Sequence, residues 1–370
     1  MALQLQNNKD IILKEGATDA KYQSTFLPIF QDAETRIKLM IVTAFLALKN
    51  PLLLRAAIAG IIVEVAKKIP DTLYDKQSYI DGMTKRADFY IRKYYQEPKS
   101  RYELVRSKLY STIPAGIKRP IINDPKQLMD FVKRPNLWAE AKGISYIRDY
   151  EKEVFRRMDE FARMPMTTYE PGKKPISLWQ KAELDVRYNK QMNMYNDLIN
   201  AGTEYAWTSS HVDASKRCEK WQGKLMSLTE HATMSGFRVG KKDGHWVYSL
   251  TDIMAQTDKY GYHNNIICGF NCRHRLIPYE TGKSAPKQYS RQEVAQQRAI
   301  ETHIREMERA IRYQKTRLLF YEKIGDRKIV QNLQKSIKMM IEEYKKYCER
   351  NGYAWFQYRI NIREGSNQYL

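Results

Sequence analysis

Apolar positions along the chain recur first at helical spacing. Phe155, Met158 and Phe161, then Leu184, Tyr188, Met192, Tyr195 and Ile199, return every three to four residues, the period of one face of an α-helix. From Asp19 to about Asn200 this pattern predicts mostly helix. Breaks are expected at Asn50-Pro51, Pro70, Pro98, Pro114, Pro120, Pro125 and Pro135, because proline removes a backbone donor. No alternation of apolar and polar residues marks a strand there, and Met164 to Pro175, with three prolines and Gly172, reads as a loop.

Between about Ala201 and Pro278 the texture changes. Glycines at 223, 236, 240, 244, 261 and 269 accompany short runs such as Trp246-Val247-Tyr248 and Arg275-Leu276-Ile277, which predict a small domain of mixed helix and strand. After a polar linker, Tyr279 to Tyr289, a stripe runs through Ile300, Ile304, Met307, Ile311, Gln314, Leu318 and Tyr321. A second follows at Val330, Leu333, Ile337, Met340, Tyr344 and Tyr347, with Gly325-Asp326 between the two. That pairing predicts an antiparallel helical hairpin whose seams face each other or a partner, with Ile304, Ile311, Leu333 and Met340 buried. The expected fold class is mainly α with a small α+β central domain. The helical N-terminal region spans 1–200, the central Cys/His domain 201–280, and the hairpin with its basic tail 281–370.

The longest apolar stretch, Leu39 to Ala66, carries Lys49, Pro51, Arg55 and Glu64, charges that a bilayer would penalise. A buried helical hairpin is expected there, and no membrane partner. Met1 to Ala20 is polar and mixed in charge, unlike an export signal.

Charge narrows the partners. The chain has 63 Lys+Arg against 42 Asp+Glu, a formal +21, which attracts polyanions. The excess is dispersed, so it implies sequence-independent contact with double-stranded DNA, or ordinary solvated helix faces, and no reading of bases. Four cysteines, Cys218, Cys268, Cys272 and Cys348, are too few for a disulfide-built secreted scaffold, which points to the reducing cytoplasm.

Three of those cysteines and five of the six histidines fall in the central window, so any site chemistry is expected there. Cys218, Cys268, Cys272 and His274 offer thiolate and imidazole ligands, the set that suits a tetrahedral structural zinc. Their spacing departs from a tight Cys-x2-Cys pair, and buried free thiols are the other reading. The string His263-Asn264-Asn265 with Asn271-Cys272-Arg273-His274 suggests a metal-dependent nuclease as the enzymatic alternative. No acidic pair accompanies the histidines to position an ion and a water. The phosphate-loop, His-Glu-x2-His and Gly-x-Ser-x-Gly patterns are all missing, so no catalytic residues are assigned and no enzyme is expected.

His211-Val212-Asp213, Arg217-Cys218, Trp221-Gln222-Gly223 and the closing Asn271-Cys272-Arg273-His274-x2-Ile277-Pro278 resemble the phage minor capsid protein 2 family, grouped with the head-morphogenesis proteins of Mu-type tailed phages. The resemblance is strongest from Thr208 to Arg363. It continues through Gln296-Gln297-Arg298, Glu308-Arg309-x2-Arg312, Tyr344 to Gly352 and Arg359-Ile360. The motif residues it marks are Asp213, Cys218, Gly223, Asn271, Cys272, Arg273, His274 and Pro278. In one departure, Glu219, Lys220 and Trp221 follow Cys218 where many relatives place a second cysteine. The resemblance implies a portal-associated minor capsid protein acting in head assembly and in DNA packaging or delivery. Its implied partners are the portal and major capsid or scaffold proteins. Its implied place is the capsid interior or portal vertex, after assembly in the host cytoplasm.

Overall fold

The computed structural model describes residues 28–47, 50–69, 76–112, 121–128, 144–164, 167–168, 176–177, 188, 191–256, 267–268 and 272–362. Helix α1 (28–46) and helix α2 (Pro51–Lys68) form the hairpin expected around Asn50-Pro51. The Asn50 side chain accepts the Leu52 N–H at 2.8 Å, and Pro51 takes the first helical position, where a missing N–H costs nothing. Helix α1 buries Phe30, Ile37, Ile41 and Phe45. The expectation of a buried hairpin is corrected for α2, because its sequence is apolar all round and only one side meets the protein. Leu54, Ile58, Ile61 and Val65 face inward, while Leu52, Leu53 and Val63 are 71%, 68% and 54% exposed. No described helix is long and apolar enough to cross a membrane.

Pro98 does not end a helix. Helix α3 (Lys76–Ile91), a π-turn (Arg92–Gln96) and helix α4 (Glu97–Thr112) run on without a break. A proline in a helix has no N–H for the carbonyl four residues back, and the wider π-turn before it absorbs that mismatch. The π-turn also buries Tyr94 and Tyr95. The short helix α5 (125–128) starts on Pro125, with the Asp124 carboxylate accepting the Gln127 N–H at 2.7 Å. Helix α6 (Ile144–Arg163) packs Phe161 flat on Tyr94, centroids 4.4 Å apart, and its Glu160 accepts bonds from Lys93 Nζ at 2.6 Å and Tyr94 Oη at 3.0 Å. A small ladder pairs β1 (Thr167–Thr168), inside the segment read as a loop, antiparallel with β2 (Ile176–Ser177), just after it. Pro70, Pro114, Pro120, Pro135 and Met1 to Ala20 lie outside the described residues.

Helix α7 (191–200) leads into the central domain. Its strands are β3 (Tyr205–Thr208), β4 (Leu225–Ser227), β5 (Arg238–Lys242), β6 (His245–Ser249) and β7 (Leu276–Pro278), with helix α8 (Leu250–Met254) after β6. They form one mixed sheet of order β5-β6-β4-β3-β7, in which β4 and β6 are parallel and the other pairs antiparallel. Asp243 and Gly244, at φ 48 and 80, make the two-residue turn between β5 and β6, the geometry that matches strand twist. Ala206, Trp221, Met226, Leu228, Leu250 and Ile253 build the core on one face.

Helices α9 (Arg291–Ile324) and α10 (Arg327–Arg350) form the expected antiparallel hairpin. Ser290 and Glu293 close a reciprocal capping box at the start of α9. Gly325, at φ 85, ends α9, and the Asp326 side chain caps α10. Ile304, Ile311, Leu318 and Tyr321 are buried as expected, with Ile311 wholly inaccessible. On α10 the seam runs Leu333, Ile337, Ile341, Tyr344 and Cys348, and Met340 is only partly buried. Measured from Ile337, near the centre of the seam, Ile341 lies about 40° round the helix at 3.6 residues per turn and Met340 about 60° on the other side, at the seam's edge.

The hairpin shares one apolar cluster with the N-terminal helices, from Phe30 and Phe161 to Phe320 and Ile341. Arg317 clamps Asp159 of α6 with bonds of 2.7 and 3.2 Å. Helix α11 (Gln357–Ile360) and the residues after it return to α1, where Thr35 Oγ1 donates to the Ile362 carbonyl and Gln31 Nε2 to that of Tyr358.

Lys315 breaks the apolar logic of this core. It is 3% exposed, and burial together with the nearby Arg312 charge pushes its ammonium down to about 8 from the usual 10.5. The folded state therefore carries an unfavourable charge below pH 8, and that penalty fades as pH rises from about 8 to 10.5. Lys315→Met is expected to stabilise the protein at pH 7 by about 2 kcal/mol, with the gain shrinking toward pH 10. Denaturant unfolding of both proteins across that range measures it. Equal stability at every pH would show that the ammonium reaches water.

Candidate metal centre

Three ligand-type side chains meet under the sheet. Cys218 ends a tight turn in which its N–H donates to the Ser215 carbonyl at 3.0 Å, and it opens the 3-10 turn Glu219–Trp221. Cys272 and His274 stand just before β7. The two sulfurs and a ring nitrogen of His274 lie within 4.8 Å of one another, and all three residues are buried. Among the described residues no other His, Cys, Asp and Glu side chains form such a group. Cys268 is also buried but outside it, and Cys348 belongs to the helical core instead.

Backbone donors converge on Cys272. Its sulfur accepts the N–H of Cys268 at 3.0 Å and of His274 at 3.4 Å, with His274 Nδ1 at 3.2 Å. The Gln191 side chain holds the Cys272 carbonyl at 3.0 Å. Gln222 Oε1 accepts the His211 N–H and stands 3.3 Å from His274 Nε2. An oxygen has no proton to give, so Nε2 carries the ring proton and the Nδ1 lone pair faces Cys272. The Cys218 thiol is pushed well up, first by its bond with Cys272 and then by burial. Burial pushes the Cys272 thiol up to about 12 and the His274 imidazole down. With no cation present, three neutral groups are the stable state of this pocket.

Around it lies a layer of ion pairs. The buried Asp213 carboxylate accepts a bond from Arg273 Nη2, which also reaches Glu301 of α9 at 3.3 Å. Arg298 of α9 donates to the Ala214 carbonyl at 2.6 Å and to Glu219 at 3.1 Å. These contacts fix the Cys/His turn against the first half of α9. They also occupy the acids that a hydrolytic centre would use to hold an ion and a water. His263-Asn264-Asn265 and Asn271 lie outside the described residues. Of the remaining motif residues, Pro278 ends β7 opposite Ala206.

Residues 189–349 match the family described as phage minor capsid protein 2. That stretch is similar to this family. It covers the central domain, all of α9 and nearly all of α10, less than half of the chain. The family carries a structural role in a phage head and, with it, a place in the virion. No curated protein and no solved structure matches the chain.

Within the minor capsid region Gly223 has a backbone task. It sits at φ 57 in the turn before β4, and its N–H donates to the Thr208 carbonyl at 3.0 Å. A β-carbon there would meet Gln288 Nε2 at 1.7 Å and Ser210 Oγ at 3.1 Å. Gln288 is flexible and swings away, whereas the left-handed backbone stays strained. Gly223→Ala is expected to cost about 1 kcal/mol, and adding Gln288→Ala should recover little of it. Full recovery in the double variant, read by thermal unfolding, would show that the side-chain clash sets the cost instead.

Proposed function

We propose that this chain is a non-enzymatic minor component of a tailed-phage head, attached at the portal vertex, where it meets packaged DNA during packaging or delivery. The observation that carries the head role is the family match over 189–349. The buried ligand set, whose neighbouring acids Asp213, Glu219 and Glu301 are engaged by Arg273 and Arg298, supports a structural use of the central domain over hydrolysis.

Two surfaces suit the proposed partners. The outer face of α2, with Leu52, Leu53 and Val63 exposed beside Ala56, Ala59 and Gly60, is an apolar strip of the kind that docks on another protein, here portal or capsid. Leu53→Asp with Val63→Asp should leave the fold intact, since both are exposed, and should reduce incorporation into heads severalfold. Quantifying the protein in purified heads, with and without portal, tests this. Undiminished incorporation would remove α2 from the interface.

The second surface is the β5–β6 hairpin. Arg238 and Lys241 lie over the exposed Trp246 ring at 4.5 and 4.7 Å, and Lys242 lies over Tyr205 at 4.4 Å. Cations on aromatic faces along a two-stranded ribbon suit a phosphate backbone. Duplex binding is expected to be indifferent to sequence and to weaken steeply with salt. Lys241→Ala with Lys242→Ala should lower the slope of log affinity against log salt by about 2. Titrating unrelated duplexes at several salt concentrations measures both. A marked preference for one sequence would contradict the reading.

A further inference from the structure

Packing alone gives no reason for three metal-ligating atoms within 4.8 Å of one another in a buried pocket. Three observations point to a cation between them. The N–H groups of Cys268 and His274 both aim at Cys272 Sγ, and backbone donors to sulfur favour its anionic form. The Gln222 oxygen holds the proton of His274 on Nε2, so the Nδ1 lone pair points into the cluster, as when an outer partner orients a ligating imidazole. Finally, Cys268 is fully buried at φ 58, a left-handed conformation that a residue with a β-carbon adopts at a cost. That conformation directs its amide onto Cys272 Sγ.

We propose that Cys218, Cys272 and His274 hold one structural Zn(II), with the Cys268 thiolate turning in as fourth ligand. Soft thiolate and imidazole donors select zinc over magnesium or calcium. On binding, three S–H bonds break, three Zn–S bonds and one Zn–N bond form, and three protons leave to solvent. No electron is transferred. The ion ties the turn before β4 to the lead-in of β7, two segments otherwise about fifty residues apart in the chain.

The test uses the full chain, purified without chelator. Elemental analysis is expected to find one zinc per chain. Replacement by Co(II) is expected to give a sulfur-to-cobalt charge-transfer band, and Cys268→Ala to lose one thiolate's share of its intensity. Cys218→Ala and Cys272→Ala are expected to lose the band. Because those variants can fail to fold, thiol labelling of the unaltered protein provides a second reading. Cys218, Cys268 and Cys272 should resist labelling until a chelator is added, while Cys348 in the helical core resists in both states. A chain that carries no zinc and takes up none, its thiols unreactive with or without chelator, overturns the metal site. A full-intensity band in Cys268→Ala overturns the fourth ligand. Neither result touches the head role, which rests on the family match.

Discussion

The placement of the other elements depends on the burial of α9. At 34 residues it is about 51 Å long, and its C-terminal half hides Ile311, Leu318, Leu319, Phe320, Tyr321 and Ile324 on more than one face. Each such side chain contributes about 1.5–3 kcal/mol of transfer free energy, available only if partners cover it on several sides. Helix α10 covers one side. Helix α6 covers another, with Phe161 on Phe320, Phe155 on Tyr321 and Asp159 held by Arg317. The N-terminal half of α9 is mostly polar and offers Arg298 and Glu301 to the central domain. One helix thus ends in an apolar core and begins as a polar bracket.

Much of this was legible in the sequence because periodicity reports which face of a helix is buried. The α9 seam, the Gly325-Asp326 turn and the strands around Val247 and Leu276 follow from such local patterns. Met340 was misplaced because strict heptad counting drifts from 3.6 residues per turn. Pro98 misled because a π-turn relieved the missing donor, a remedy with no composition of its own. The strands β3 and β4 are too short to alternate visibly. Asp243-Gly244 between β5 and β6 was the turn signal available and not used. The return of residues 357–362 to α1 rests on backbone carbonyls, to which Thr35 and Gln31 donate, and on the buried Ile360 and Ile362, too few side chains to show a period.

The site was half legible for a related reason. Residue type marked Cys218, Cys272 and His274, and the opening and closing motifs marked Asp213 and Arg273, which the fold joins directly. The residues that orient them were not marked for that task. Gln191 lies 81 positions from the Cys272 carbonyl it holds, and Gln222 lies 52 from His274. Glutamines are ordinary surface residues until a fold buries them beside a donor or acceptor. Glu301 looked like one more charge on a solvated helix face, although it shares Arg273 with Asp213.

The two cores call for different kinds of support. The helical core runs through most of the described helices and contains long, interlocking side chains, so apolar burial is enough to hold it. The sheet's strands are three to five residues long, and its principal cluster is small and includes three cysteines. Such a domain buries too little apolar area to offset the conformational entropy of its turns and long connections. Its additional restraints are polar: Arg273 and Arg298 against α9, Gln191 on Cys272, and the ligand cluster itself. Polar restraints are directional, so they hold a small module in one orientation where a thin apolar contact would let it slide. In so small a module, fixing one orientation against α9 matters more than adding bulk stability.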